Sequence, residues 1–250
     1  MCTQEVPLRK EFICAVIVTF RPDNEFNRRF KHITQQVDRV VIVDNGSSDS
    51  CINMLQDICI EQNAHLIVNS NNLGIAIALN QGIRFIGDLG YKWVLTMDDD
   101  SSPKHDMINK MIIAYDHYPN KEKIGIIGAN PRDTNIGKSS SYEKKCINNF
   151  WIEEPVVNTS GSLMPLEVFY KIGPYKDEYF IDCVDQEYCL RLRANNYRVI
   201  VACHAELIHS IGHQEKAYIF KKEFIPTHHN HLRYYYRARN SLLLGRDYLF

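Results

Sequence analysis

The segment Met97-Asp98-Asp99-Asp100-Ser101 puts three consecutive carboxylates directly after an apolar run. At a separation of ~4 Å and an effective dielectric near ~20, each close pair of charges costs on the order of 4 kcal/mol, and a divalent cation relieves that cost. Hard oxygen ligands suit Mg2+ or Mn2+, ions that bridge a protein carboxylate and a substrate diphosphate. The alternative is a solvated acidic turn in which Asp100 or Ser101 caps the next helix. Asp44, in Val43-Asp44-Asn45-Gly46-Ser47, can accept hydrogen bonds from a base or a ribose, although the same residues are good turn chemistry. From Asn72 to Gly82 small residues recur at alternate positions, which permits either close approach of a ligand to backbone amides or close helix packing.

These residues lie where elements end. Phe12 to Phe20 and Arg39 to Val43 are short, β-branched apolar runs, as buried parallel strands are. Helix-compatible segments, 24–36 and 50–62, separate them. A strand at His65 to Val68, a helix at Gly74 to Leu89 and a strand at Lys92 to Met97 continue the alternation expected of a parallel α/β sheet covered on both faces. Ser102-Pro103 reads as an N-cap and first helical residue for a helix reaching Tyr118. Ile124 to Ala129 is a strand, and 130–145 a long polar surface loop. Strand-like pieces at 150–158 and 162–164, a helix over 185–195, and strands at 198–201 and 205–209 complete the alternation. Ligands of open α/β sheets bind at the carboxyl ends of the strands. That edge contains Thr19, Phe20 and Arg21, then Asp44 and Asn45, then Asn72 and Gly74, then Asp98, Asp99 and Asp100.

The 250 residues are 45% hydrophobic and 24% charged, with a formal charge of -1. This excludes a disordered or collagen-like chain, and the neutral balance gives no argument for nucleic acid as a partner. The eight cysteines contain no CxxC pair, so most are expected to be free thiols in a reducing cytoplasm. No signal region or run of ~18 apolar residues is seen, so the protein is expected in the cytoplasm.

Taken in order, these segments resemble the inverting family 2 glycosyltransferases. The resemblance extends from Ala15 to about Asn240 and includes Thr159-Ser160-Gly161-Ser162 and Asp185-Gln186-Glu187-Tyr188-Cys189-Leu190-Arg191. It implies a GT-A fold, Rossmann-like, with a mostly parallel central sheet and helices on both faces, over residues 1–215. A helical tail, 216–250, is expected to follow, packed on the domain or against a membrane. The resemblance further implies that Thr19 and Asp44 contact the nucleoside of a donor, that Asp98 lies on its ribose or diphosphate side, and that Asp100 holds the cation. Phe20, Arg21, Asn45, Asn72, Gly74 and Asp99 fall on the same donor edge. Asp185 matches the family's catalytic base. It stands after Val184 where a glutamate is usual, a departure seen in the rhamnosyltransferase-like branch, which Phe180 to Glu187 resembles closely. A first-turn helix carboxylate is the structural reading of Asp185. His209 resembles a late histidine that completes the metal site or touches the diphosphate, and a neutral imidazole suits Mn2+ better than Mg2+. Glu187 and Arg239 are assigned to the acceptor, although Glu187 and Arg191 are also spaced to meet on a helix.

The expected activity is transfer of a sugar, L-rhamnose from dTDP-L-rhamnose, to a polysaccharide or a lipid-linked oligosaccharide. Another donor such as UDP-galactose or UDP-N-acetylglucosamine, and a non-catalytic carbohydrate-binding module, are the alternatives. Residues 216–250 hold seven Lys and Arg against two acidic residues, with Tyr234-Tyr235-Tyr236 among them. This basic, aromatic tail is expected to meet an anionic lipid or the inner membrane face, or else to be a packing helix.

Overall fold

The computed structural model describes residues 7–133, 142–209, 217–219, 222–224 and 231–248, and gives the backbone alone for residues 133, 209, 217–219 and 222–224. The first half alternates β1 (Ile13–Thr19), α1 (Phe26–Thr34), β2 (Arg39–Asp44), α2 (Asp49–Gln62), β3 (His65–Val68), α3 (Ile75–Asp88) and β4 (Trp93–Asp98). The second half contains β5 (Ser101–Pro103), α4 (Met107–His117), β6 (Ile124–Asp133), α5 (Glu143–Cys146), β7 (Trp151–Glu153), β8 (Ser162–Pro165), α6 (Leu166–Ile172), α7 (Val184–Ala194) and β9 (Arg198–His209). The tail adds β10 (Ala217–Ile219), β11 (Lys222–Phe224) and α8 (His231–Tyr248).

The main sheet has the order β3-β2-β1-β4-β8-β6-β9-β5, with β7 also on β9. β1, β2, β3 and β4 are mutually parallel, β8 runs against β4 and β6, and β6 and β9 are parallel. The sheet is therefore mostly parallel, as expected. The period of two along β1 explains its cover: Ile13, Ala15 and Ile17 enter one apolar cluster with α1, α2 and α4, whereas Cys14, Val16 and Val18 enter another with α3, α6 and α7. The small residues of α3 serve this packing. A side chain at Gly82 would meet Val16 Cγ2 at 2.2 Å, so helix and strand could not approach as they do.

Four local expectations are corrected. Ser102-Pro103 does not open a helix: it lies in β5, an edge strand paired with β9, where proline's missing N–H costs no ladder bond, and α4 starts at Met107. The polar stretch after Ala129 is not all loop, since β6 extends through Asp133 beside β9, and α5 begins at Glu143. The two strands expected between 198 and 209 are one, β9, with register shifts where β6 bulges. The tail is not helical throughout, because β10 and β11 form an antiparallel pair before α8. α6 was not anticipated: it is one short apolar helix of seven residues, below the length at which periodicity is legible.

Cys14, Cys51, Cys59, Cys183 and Cys189 are free, but Cys146 and Cys203 form a disulfide across 57 residues of chain, correcting the expectation at those positions. The spacing carries no signal for the pair, which arises only because α5 folds onto β9. Closing a loop of this length stabilises by about 4 kcal/mol in the chain-entropy picture. Reduction is expected to lower Tm by about 8 °C or more, read by calorimetry with and without dithiothreitol. Eight titratable thiols in the denatured, unreduced protein would show the bond to be absent.

Candidate active site

The strand order reverses between β1 and β4, the switch point at whose carboxyl ends open α/β sheets have their binding crevice. Val18 pairs with Asp98 in register, and the Phe20 N–H donates to Asp99 Oδ2 at 3.2 Å. Phe20 is exposed, and Arg21, its guanidinium over the Phe20 ring, has φ 57 in the left-handed region. Such a conformation costs on the order of 1 kcal/mol or more. Its N–H donates to Ser47 Oγ at 2.8 Å, tying the ends of β1 and β2 together.

Asp44 is fully buried, and its carboxylate is already satisfied. Oδ1 accepts the N–H groups of Gly46 (3.2 Å) and Ser47 (2.8 Å), and Oδ2 accepts the hydroxyls of Thr19 (2.9 Å) and Ser47 (2.6 Å). Four donors fill the acceptor capacity of a carboxylate. In this arrangement Asp44 and Thr19 organise the turn that joins β2 to α2. Asn45 is the next hub: its amide donates to Asn72 Oδ1 (3.0 Å) and the Gly74 carbonyl (3.1 Å), and its Oδ1 accepts from Asn69 (3.2 Å) and the Leu73 N–H (3.0 Å). Gly74 has φ 89, and a Cβ there would lie 2.7 Å from the Phe180 carbonyl. Asn45, Asn72 and Gly74 thus shape the rim of the crevice through the backbone.

Asp98, Asp99 and Asp100 line the β4 side. Burial pushes the Asp98 carboxyl up to about 7, reinforced by Asp100, Asp99 and Asp185 and opposed by Arg233. Burial also pushes Asp99 up to about 6, with the Phe20 N–H opposing it and Asp100 adding to it. Ser160 Oγ accepts the Asp98 N–H at 3.1 Å and donates to Ser101 at 2.9 Å, so the Thr159-Ser160-Gly161-Ser162 stretch braces this corner. A cluster driven to take up protons near neutrality fits a divalent cation, and its all-oxygen donors fit a hard one. Among the described residues, no three His, Cys, Asp or Glu side chains stand together as a ready protein cage. The fit is therefore to an ion held by one or two carboxylates and completed by substrate oxygens. His209 is paired with Ser101 through the backbone, next to Asp100, and its side chain lies outside the described residues.

Asp185 enters from the other side, on the first turn of α7, where burial raises its carboxyl above the ordinary value. Its charge acts on Asp98, although 87 residues separate them in sequence. The turn before it is unusual. Asp182 and Cys183 both have φ 63, successive left-handed residues that are not glycine and cost on the order of 1–3 kcal/mol each. Asp182 receives Arg233 at 3.3 Å and Arg237 at 3.8 Å from α8. Neither Asp182 nor Arg233 was singled out from sequence. Their pairing brings residues 51 positions apart together and leaves no local pattern to read.

The two residues assigned to the acceptor lie in different surroundings. Glu187 is 1% exposed and bonded to Arg191 (2.9 Å), Lys176 (3.4 Å) and the Tyr248 hydroxyl (2.7 Å). Both oxygens are occupied, one in the helix pairing with Arg191 and the other by Lys176 and by Tyr248 of α8. Arg239 donates to the Glu178 carbonyl at 2.7 Å and lies over Tyr236, beside the turn that leads to Asp185.

A mostly parallel sheet with a reversed strand order and helices on both faces is the fold of the GT-A glycosyltransferases. The chain belongs to glycosyl transferase family 2, whose sequence pattern matches residues 14–173. It is 32% identical over 246 residues to the dTDP-rhamnosyl transferase RfbF of Shigella flexneri, covering 94% of this chain and 80% of that one. It is 28% identical over 172 residues to a poly-beta-1,6-N-acetyl-D-glucosamine synthase of Staphylococcus aureus, covering 64% of this chain and 40% of the relative. Among solved structures, the fold is shared with the mannosyltransferase PcManGT of Pyrobaculum calidifontis, in complex with GDP-Man and Mn2+. The TM-score is 0.65 at 15% identity, over 82% of this chain and 59% of that chain. S. aureus TarS with UDP-GlcNAc gives 0.60 at 13% identity, over 83% and 61%. The chain thus spans less than two thirds of these solved structures.

Proposed function

We propose that this chain is an inverting glycosyltransferase that moves a rhamnosyl group from dTDP-rhamnose onto a polysaccharide or lipid-linked oligosaccharide acceptor. The observation that carries the reading is the acidic Asp98-Asp99-Asp100 corner at the carboxyl end of β4, beside β1 at the switch point. The rhamnosyl donor is supported by the Shigella flexneri relative, alike over nearly the whole of this chain.

Asp185 takes the proton of an acceptor hydroxyl as its oxygen attacks the anomeric carbon, while the bond from that carbon to the nucleoside diphosphate breaks. One displacement inverts the centre, and one positioned base suffices. Asp100, with His209 next to it in the ladder, would hold a Mg2+ or Mn2+ ion that supplies charge stabilisation to the departing diphosphate. Phe20, Arg21, Asn45, Asn72, Gly74, Asp98 and Asp99 form the donor wall, with Thr19 and Asp44 fixing its shape. Arg239 borders the acceptor side. Leu232, Tyr235 and Leu242 are exposed on α8 and fit an acceptor presented at a lipid surface. Among the described residues no helix is long and apolar enough to cross a membrane.

Thermal denaturation with dTDP-rhamnose, UDP-galactose and UDP-N-acetylglucosamine, each with Mn2+, tests the donor. A ligand at ~100 times its Kd stabilises by about 2.7 kcal/mol. The expected ranking puts dTDP-rhamnose first. Stabilisation by a UDP-sugar alone would change the donor, and no shift with any of them would remove the transferase reading.

A further inference from the structure

The segment that carries Asp185 is held by two buried asparagines. Asn80 of α3 donates to the Tyr175 carbonyl (2.8 Å) and Asp177 (2.9 Å), and its Oδ1 accepts the Tyr175 N–H (3.0 Å). Asn240 of α8 donates to the carbonyls of Ile181 and Asp182, both at 2.9 Å. Those carbonyls belong to the entry of the left-handed turn at Asp182 and Cys183, and Asp185 is the second residue of the helix that follows.

Asn240 is also the only residue buried in α8 among those described, and it is polar. Asparagine is a poor interior helix residue. A fully buried amide is tolerated where its donors find acceptors. Here both amide hydrogens are used on one short stretch of backbone. The neighbouring Ser241 Oγ lies 4.0 Å from Cys183 Sγ, and Tyr236, one turn earlier, stacks on Phe180 at 4.9 Å. On the opposite side the Phe180 carbonyl accepts the Ile75 N–H at 2.8 Å. The turn is therefore clamped between the start of α3 and the middle of α8, with Asn240 at the strained residues.

We propose that Asn240 is a positioning residue for the transfer reaction: its amide fixes the turn Ile181–Cys183 and thereby the direction in which Asp185 enters the site. The inference rests on the reading of Asp185 as the base. It makes the tail helix part of the catalytic apparatus, with no substrate contact by Asn240 itself.

The test compares Asn240→Asp, which keeps the shape but turns an acceptor toward two carbonyls, with Asn240→Ala and with Asp185→Asn, in the full chain. A small misplacement of a reacting group costs about 10²-fold in rate. Both Asn240 variants are expected to lose kcat on that scale, with donor KM held within about threefold, since the hydrogen bonds of Asn240 reach Ile181, Asp182 and Arg239 and no residue of the donor wall. Glycine adopts the left-handed conformation without steric cost. Adding Cys183→Gly to Asn240→Ala should therefore recover about tenfold of the lost kcat, a rescue that simple loss of packing would not give. Unchanged kcat in the Asn240 variants, with Asp185→Asn inactive, would overturn the positioning role alone. Wild-type kcat in Asp185→Asn would remove the base assignment and this inference with it. Failure of Asn240→Ala and Asn240→Asp alike to fold, unrelieved by Cys183→Gly, would make Asn240 a packing residue and overturn the inference as well.

Discussion

Asp185→Asn is expected to reduce kcat by about 10³-fold while leaving the Kd for the donor nucleotide within about threefold. The amide is nearly isosteric and can still accept the 2.9 Å hydrogen bond that Asp185 Oδ1 takes from the Gln186 N–H, so the first turn of α7 stays formed. What is lost is a group able to take a proton. At 1.36 kcal/mol per decade, the loss is about 4 kcal/mol of transition-state stabilisation. The pH profile adds a second readout. Burial raises the Asp185 carboxyl above its ordinary range, so the acid limb of kcat should lie above that range and fall away as the base is protonated. The residual rate of the Asn variant should lack this limb. Transfer kinetics with titration calorimetry decide the matter, and wild-type kcat in the variant would reject Asp185 as base.

Asp100→Ala is expected to weaken nucleotide-sugar binding by tenfold or more in the presence of Mn2+, and to leave it equal or stronger in EDTA. The sign change is the diagnostic. With a cation present, Asp100 anchors the ion that meets the diphosphate. Without one, Asp100 adds a like charge beside Asp98 and Asp99, as its contribution to their raised carboxyls indicates. A nearby charge pair at an effective dielectric near ~20 is worth on the order of 4 kcal/mol before screening, so removing it helps an anionic ligand. A variant destabilised in general would bind more weakly under both conditions. Equal loss with and without Mn2+ would therefore withdraw Asp100 as a metal ligand.

The strands that frame the crevice are legible because β1, β2 and β4 are short, apolar and buried on both faces, and the residues after them are polar. Reading strand ends was enough to reach Phe20, Asn45, Gly74 and the three aspartates. It was not enough to say which of them face a ligand. The polar atoms of Asp44 and Thr19 bond to each other and, for Asp44, to Gly46 and Ser47, which no local pattern announces. Glu187 likewise has its oxygens taken, one of them by Tyr248, 61 residues away. Pro103 shows a local rule losing to the sheet. Its preference for a first helical turn is weaker than the gain from extending β9 with an edge strand, where its missing N–H does no harm.

The sequence by itself determines a two-faced parallel sheet, an acidic carboxyl edge and a second carboxylate at a helix start, because these rest on periodicity and local chemistry. The tertiary structure alone decides that the Asp185 charge reaches Asp98, that Cys146 meets Cys203, and that α8 packs back onto the domain. Arg233 and Arg237 meet Asp182 there, and Lys176 meets Asp247 at 2.9 Å. It also places Asn240 under a left-handed turn. The physical reason is that hydrogen bonds and charge pairs act over a few ångströms whatever the separation along the chain, so only folding specifies which buried donor meets which acceptor.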